Sequence, residues 1–220
     1  DMSVNRKAIS EHDQKSLIFD TIIFNPPYLP EDAKLKDLTV EGGRKGYEIL
    51  ERFLNEVNEH LAPDGIVLIV FSSLTKKDKV DEIIMKNLME FDELNMEHIF
   101  FEELYVYLIK KSGLLRALEK KGIKDIEYFT HGHRGILFRA KWKGRDIVIK
   151  AKNPKSMAIG RIVNEARWIK KLNKHRIGPK LLFSAKDYFA YEYIQGDFIL
   201  DFIAKLRDNR EGRGIIKKII

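Results

Sequence analysis

The sequence predicts two units of different architecture: the back half of an open α/β sheet, followed by a smaller α+β unit. In the first half, apolar runs of strand length alternate with segments of helical periodicity, which is typical of α/β sheets. In the second half, successive strand patterns surround one basic helix, which favours an antiparallel sheet. The net charge also changes sign between the two halves, as expected for domains with different surroundings.

The charge is divided unevenly along the 220 residues, which carry +7 in total. Residues 1–111 contain 14 Lys and Arg against 22 Asp and Glu, a net charge of −8. Residues 112–220 contain 26 Lys and Arg against 11 Asp and Glu, a net charge of +15. We therefore predict domains at 1–111 and 124–220, joined by a helix within 112–123. The basic half indicates contact with RNA or the ribosome, or else an ordinary solvated surface.

Composition excludes several classes of protein. The chain has no cysteine, so disulfides, thiolate nucleophiles and cysteine-bound zinc are excluded. No apolar run reaches the roughly 20 residues that a membrane helix needs, and no signal-peptide pattern opens the chain. We therefore expect a cytoplasmic protein without membrane contact. A charged fraction of 33% suits a thermophile.

The elements of the first half follow from its apolar pattern. The run 20–24 predicts a fully buried strand that the prolines after Asn25 terminate. Ala62–Gly65 predicts a turn. Thr75, with Asp78 three residues later, predicts a capping box. The other predicted elements are a helix over 46–61, a strand over 66–71, a second helix from 75, and strands over 95–101 and 104–110.

A candidate catalytic motif, Asn25–Tyr28, follows the first strand. In open α/β sheets, ligands bind beyond the carboxyl ends of the strands. The Asn25 amide oxygen and the Pro26 carbonyl can accept hydrogen bonds from a planar NH₂ group, and Tyr28 offers a flat face for stacking. Two such acceptors orient the nitrogen lone pair and stabilise the positive charge that develops during methyl transfer. The motif therefore predicts N-methylation of an amide or a nucleobase.

Residues 20–111 resemble class I methyltransferases of the HemK type, the release-factor glutamine N5-methyltransferases, whose fold is Rossmann-like. The motif Asn25–Tyr28, the loop Glu41–Arg44 and the segment Phe100–Tyr105 are most similar to the small archaeal and eukaryotic branch. The resemblance implies S-adenosylmethionine as cofactor and a class 1 release factor as substrate. It also implies that Asp1 holds the cofactor ribose, and that the glycine-rich cofactor loop lies outside this sequence, so that the domain is incomplete at its N-terminus.

Two other functions remain open from the residues themselves. The same motif serves methylation of an exocyclic amine in nucleic acid, because adenine and glutamine present the same flat NH₂ group. The chain could also be a catalytically silent adapter that binds RNA or the ribosome through its basic half. The acidic first half favours a protein acceptor over a nucleic acid.

The second half carries a different pattern of candidate residues. Gly132 and Gly135 lie between two predicted strands, Lys150 ends the third strand, and Glu165 lies on the next helix. In a kinase N-lobe, a glycine loop covers the phosphates and a strand lysine is held by a helix glutamate. Tyr191–Tyr193 would form the hinge whose backbone meets adenine, with Glu192 and Tyr193 as the binding residues. The neighbouring histidines lack supporting carboxylates, so no metal site is predicted.

Residues 124–220 resemble the N-lobe of small archaeal predicted serine/threonine kinases, relatives of the RIO kinases. The Asn164–Trp168 segment and the Gly178-Pro179 pair after it carry the resemblance. It implies ATP as a ligand, with magnesium in a complete kinase domain. The catalytic loop and its aspartates do not occur before Ile220. The resemblance therefore implies an ATP-binding lobe that is incomplete at its C-terminus, with uncertain kinase activity.

Overall fold

The computed structural model describes residues 17–31, 41–132, 135–153, 160–196, 201–202 and 204. The chain divides into two compact units. The first comprises residues 1–130 and 138–144, and the second comprises residues 131–137 and 145–220.

The first unit combines strands and helices, which confirms a mixed α/β fold. Short 3₁₀ turns follow α1 at Val57–Glu59 and β2 at Ser73–Thr75. In chain order the elements are β1 Phe19–Phe24, α1 Glu48–Glu56, β2 Leu61–Ser72, α2 Lys77–Lys86, β3 Met89–Ile99, β4 Glu102–Lys111, α3 Gly113–Lys120 and β5 Ile123–His131.

The main sheet of this unit has the strand order β1-β2-β4-β3. β1 runs parallel to β2, with Phe24 opposite Ile69. β4 runs antiparallel to both β2 and β3, with Leu104 opposite Ser72. The last residues of β1 and β2 and the first residues of β4 therefore lie at one edge of the sheet, which we call the carboxyl edge.

Helices α1 and α2 each bury an apolar stripe against β2 and β4. The side chains of Leu50 and Leu54 in α1 and of Val80 and Ile84 in α2 are inaccessible to solvent, as the i, i+4 spacing predicts. The strand residues of the same core alternate along the chain, as a period of two requires, and are Val67, Ile69, Phe71, Tyr107 and Ile109.

Three local predictions in this unit are wrong. β1 is not fully buried, and Ile23 is 75% exposed, because in the described residues β1 pairs with β2 alone. The predicted turn Ala62–Gly65 is part of β2 and forms a bulge, since the register jumps from Leu61 to Ile66. The capping box does not form, because the residue before α2 is Lys76, in the left-handed conformation, and its side chain makes no capping hydrogen bond.

The second unit contains the beginning of β6 Gly135–Trp142, then β7 Arg145–Lys152, α4 Arg161–Asn173, β8 Leu181–Ser184 and β9 Tyr188–Glu192. The sheet order from β6 onward is β6-β7-β9-β8, and β9 is antiparallel to both of its neighbours. α4 packs on this sheet through Ile162 and Ala166, which contact Phe189 in a small core. In the first unit, β5 is the neighbour of the remaining part of β6.

Two further predictions concern the chain as a whole. None of the helices in the described segments is both long and apolar enough to cross a bilayer. The predicted kinase-like character of the second half, and the domain boundaries at 111 and 124, stay predictions.

Candidate functional site

The acceptor loop, which we define as Asn25–Pro30, begins where β1 ends at the carboxyl edge. Asn25 is exposed, and its amide has no hydrogen-bond partner among the described residues. Pro26, the next residue, is buried. The structure thus places Asn25 directly after the last residue of β1, at the strand end where the sequence predicts it.

A second segment, Glu41–Gly46, supports the acceptor loop, and we call it the supporting loop. The N–H of Gly42 donates to the carbonyl of Leu29 across 2.8 Å, and the N–H of Glu31 donates to the carbonyl of Gly43 across 3.1 Å. These bonds form a short parallel bridge. The backbone of the acceptor loop is therefore fixed by the chain that leads into α1.

Two glycines make this approach possible. A Cβ atom on Gly42 would lie 2.6 Å from the Pro27 carbonyl oxygen, which is closer than real Cβ contacts. A Cβ atom on Gly46 would lie 2.8 Å from the Tyr28 carbonyl oxygen, and Gly46 has a φ of +86°. Any side chain at these positions would push the two loops apart. The sequence resemblance singled out this region, but the backbone contact emerges only from the tertiary structure.

Thr75 holds the acceptor loop from another direction. Its hydroxyl donates to the Tyr28 carbonyl across 2.9 Å, and the residue is wholly buried. Thr75 ends the 3₁₀ turn that follows β2 at the carboxyl edge. The sequence pattern had suggested a helix cap for Thr75. The signal that could have suggested this different role is its position shortly after a strand, where a Thr or Ser hydroxyl can bond a neighbouring loop.

Tyr28 is half-buried and packs against the core of the first unit. Burial raises the pKa of its phenol, and the nearby Glu102 carboxylate raises the pKa further. The hydroxyl therefore stays protonated at neutral pH. Part of the ring belongs to the core, so the ring position is set by packing, and its predicted stacking role stays a prediction.

Two carboxylates near these loops have unsatisfied oxygens. Oε1 of Glu41 and Oε2 of Glu102 are buried and have no hydrogen-bond partner among the described residues. Glu102 begins β4 at the carboxyl edge, and it is close enough to Tyr28 to influence its phenol. Neither glutamate was predicted as a site residue. A single glutamate in an acidic sequence gives no signal that could have identified it.

In the second unit, Lys150 and Glu165 form an ion pair. Lys150 Nζ lies 2.5 Å from Glu165 Oε1, and the lysine side chain is 21% exposed. Lys150 lies on β7 and Glu165 on α4. Tyr191 lies nearby, and burial together with the Glu165 carboxylate raises the pKa of its phenol to about 12. The structure thus brings together two residues that are fifteen positions apart in the sequence.

The glycine loop of this unit lies next to Lys150. The N–H of Gly132 donates to the carbonyl of Gly135 across 2.9 Å. A Cβ atom on Gly135 would lie 2.9 Å from Cε of Lys150 and 3.1 Å from the carbonyl oxygen of Ala151. Glycine therefore allows the first residue of β6 to approach Lys150 on β7 closely.

The predicted hinge residues lie farther along β9. Glu192 is opposite Ile147, whereas Lys150 is opposite Phe189, a separation of three residues along the strand. The N–H groups of Glu192 and Tyr193 donate to the carbonyls of Lys180 and Asp146, at 3.0 and 3.2 Å. These two N–H groups are engaged within the protein.

One predicted cofactor residue, Asp1, lies outside the described residues.

The chain is similar to a curated relative and to solved structures. No protein-family model matches the chain. The chain is 44% identical over 71 residues to a curated protein of the archaeon Methanocaldococcus jannaschii, named "Putative protein N5-glutamine methyltransferase". The match covers 30% of this chain and 36% of that relative, so the chain spans about a third of the relative's length. The chain is also similar to the E. cuniculi Mtq2-Trm112 complex, described as methylating the eRF1 translation termination factor. That likeness has 24% identity and a TM-score of 0.35, and it covers 42% of this chain and 52% of the other.

Proposed function

We propose that the first unit supplies the acceptor site of an S-adenosylmethionine-dependent methyltransferase that modifies the side-chain nitrogen of a protein glutamine, with a class 1 release factor as substrate. One observation carries this proposal: the Asn25 amide, which has no hydrogen-bond partner among the described residues, stands at the end of a parallel strand on a loop fixed by two other segments. The 44% identity over 71 residues to a relative with that named activity supports the glutamine assignment.

The chemistry follows from the two acceptors. The Asn25 amide oxygen and the Pro26 carbonyl accept the two hydrogens of the substrate NH₂, and this fixes the direction of the nitrogen lone pair. As the new bond forms, positive charge develops on the nitrogen, and both oxygens stabilise it. S-adenosylmethionine, when bound, supplies the methyl group. The carboxylate of Glu102 adds negative potential at the same edge of the sheet.

The rigidity of the loop supports the same function. Acceptors that are held in place need no reorganisation when charge develops, which is the main source of electrostatic catalysis. Here the bonds that join Thr75 to Tyr28, Gly42 to Leu29 and Glu31 to Gly43 fix the backbone from Tyr28 onward.

Labelling tests the proposal directly. The full-length protein is incubated with cofactor carrying a labelled methyl group and with either a release factor or total RNA. We expect label in the release factor, on a glutamine of a Gly-Gly-Gln loop. Label in RNA alone would favour the alternative, methylation of an exocyclic amine. That alternative conflicts with the net charge of −8 on residues 1–111, which repels a phosphate backbone.

We also propose nucleotide binding by the second unit, on the basis of the Lys150–Glu165 pair. A lysine held by a helix glutamate beside a glycine loop is the arrangement that positions ATP phosphates in protein kinases. The 2.5 Å pair and the close crossing of Gly135 support this assignment. In a complete kinase domain, magnesium would accompany the nucleotide.

A basic groove in the second unit supports a third proposal, contact with RNA. Its volume is about 600 Å³, and its lining includes Lys170, Arg176, Lys180 and Phe183. Asn173 fixes the loop that carries two of these cations, through hydrogen bonds with the backbone of 177, 179 and 181. Cations on a fixed loop suit a phosphate backbone, and an aromatic ring suits a base.

Salt-dependent RNA binding tests this groove. Replacing Lys170, Arg176 and Lys180 by Ala should weaken binding of single-stranded RNA and reduce its dependence on salt concentration. The matched control replaces three exposed cations of the same unit that do not line the groove, which are Arg161, Lys152 and Lys186. Equal effects of the two triple variants would reduce the RNA contact to a general effect of charge.

A further inference from the structure

Two adjacent aromatic side chains are fully presented to solvent in the first unit. Phe100 and Phe101 are 88% and 96% exposed, and they form the turn between β3 and β4. Two-residue hairpin turns favour Asn, Asp and Gly, because the backbone must adopt positive φ. Phe100 has a φ of 49°, which residues with side chains rarely take. The pair therefore does not serve the turn, and exposed aromatic pairs of this kind mark interaction sites.

The register of the sheet places this aromatic tip, Phe100–Phe101, beside the acceptor loop. Phe24, the last residue of β1, is level with Ile69 on β2, and Ile69 is level with Tyr107 on β4. β4 starts five residues earlier, at Glu102. The hairpin therefore extends roughly 15 to 20 Å beyond the end of β1, past the carboxyl edge, and is displaced sideways by about two strand spacings, roughly 10 Å.

The distance between Asn25 and the aromatic tip indicates which kind of acceptor can contact both. A substrate nitrogen at Asn25 and a contact at the aromatic tip are separated by more than the length of a glutamine side chain or a nucleobase. A macromolecular acceptor can reach both points at once, whereas a free small molecule cannot. The tip thus lies where the body of a protein substrate would stand when one of its loops enters the site.

The charge around the tip favours a protein over a nucleic acid as the acceptor. Glu97, Glu102 and Glu103 flank the two phenylalanines, and His98 is the one basic residue between positions 97 and 103. These carboxylates repel a phosphate backbone and attract a basic surface. The complementary partner is a protein surface that combines apolar side chains with Lys or Arg.

A second copy of the chain fits the tip less well. Two phenylalanines bury about 150 to 250 Å² each, whereas a stable interface buries about 800 Å² on each partner. The acidic flank would also face an identical acidic flank in a symmetric pair. The tip is suited to a brief encounter with a substrate.

We propose that the aromatic tip is the docking element for the protein that donates the glutamine to Asn25. This inference rests on the proposed methyltransferase function and adds where the acceptor protein binds. Because both rings are exposed, removing them should leave the fold unchanged and should affect substrate capture alone. The transfer step, which takes place at the acceptor loop, should keep its rate.

The experiment uses the full-length protein and a double variant, Phe100→Ala with Phe101→Ala. For the whole acceptor protein, we expect KM to rise at least tenfold while kcat stays within twofold. For a short Gly-Gly-Gln peptide, which cannot reach the tip, both constants should be unchanged. The control is Leu94→Ala with Met96→Ala, two exposed apolar residues on β3 of the same hairpin.

Each result has a distinct meaning. Unchanged KM of the double variant for the whole acceptor, with active wild-type protein, would overturn the docking role. An equal rise of KM in the Leu94 and Met96 control would overturn the assignment to the tip. A wild-type dimer in light scattering that the double variant loses would assign the tip to a second copy instead. If the wild-type protein methylates neither acceptor, the proposed function itself fails.

Discussion

The hydroxyl of Thr75 donates a 2.9 Å hydrogen bond to the main-chain carbonyl of Tyr28, forty-seven positions earlier in the chain. The donor follows β2 and the acceptor follows β1, so the bond joins the ends of two parallel strands. Because Thr75 is wholly buried, water cannot replace its hydroxyl. The bond therefore fixes the loop on which the candidate acceptor groups lie.

Thr75→Val should lower kcat more than KM, because it removes the hydrogen bond without changing the volume of the side chain. The Tyr28 carbonyl would lose its donor from the buried Thr75, which costs about 1 to 3 kcal/mol of stability. Thr75→Ser keeps the hydroxyl and should restore most of kcat. Steady-state kinetics and thermal unfolding of both variants check this prediction. A Val variant as active as the wild type, together with an impaired Ser variant, would instead make the methyl group of Thr75 the important part.

Asn25→Ala should reduce methyl transfer on the order of 100-fold, because one acceptor for the developing positive charge is lost. Asn25 is exposed and has no partner among the described residues, so the melting temperature should hardly change. Asn95→Ala, another exposed asparagine in the same unit, is the control for losing an amide. Near-normal turnover by the Asn25 variant would refute the assigned role.

Gly46→Ala should destabilise the first unit and reduce activity together. The added Cβ atom would approach the Tyr28 carbonyl oxygen to 2.8 Å, and the φ of +86° is unfavourable for alanine. The conformational term alone is on the order of 1 to 2 kcal/mol. Gly122→Ala is the matched control, because Gly122 also has a positive φ, +73°, and a Cβ atom there meets nothing within 4 Å. Denaturant unfolding of both variants decides whether close approach is required at Gly46.

Lys150→Ala should weaken ATP binding about 10- to 100-fold in the full-length protein, which corresponds to losing a hydrogen bond from a charged group. Glu165→Gln should weaken it less, because the lysine keeps its charge but loses the partner that orients it. Lys152→Ala, two residues further along β7, is the control. Calorimetry that gave equal affinities for wild type and the Lys150 variant would reject nucleotide binding at this pair.

The sequence predicted those parts of the site that depend on local order. Asn25 could be placed at a strand end because prolines terminate an apolar run, and the order of Lys150 and Glu165 followed from a strand that precedes a helix. Both predictions concern neighbours along the chain.

The remaining features depend on tertiary contacts. Thr75 was assigned to a helix cap because the capping pattern is local, whereas its real partner lies on another loop. The exposure of β1 depends on its position in the strand order, and the bulge at Ala62–Gly65 depends on pairing with β1. The close contact of Gly42 with Pro27 likewise requires the two loops to be in place.

The anchoring of the acceptor loop also has a consequence for folding. Its hydrogen bonds come from three segments that are far apart in the chain, around positions 29, 42 and 75. No short piece of the sequence can form this loop alone. The entropic cost of ordering the loop is offset only when all three segments meet and their hydrogen bonds form. The loop should therefore assemble late, and catalytic competence should appear in the same kinetic phase as the completed sheet. Regain of activity after dilution from denaturant would then report the final step of folding.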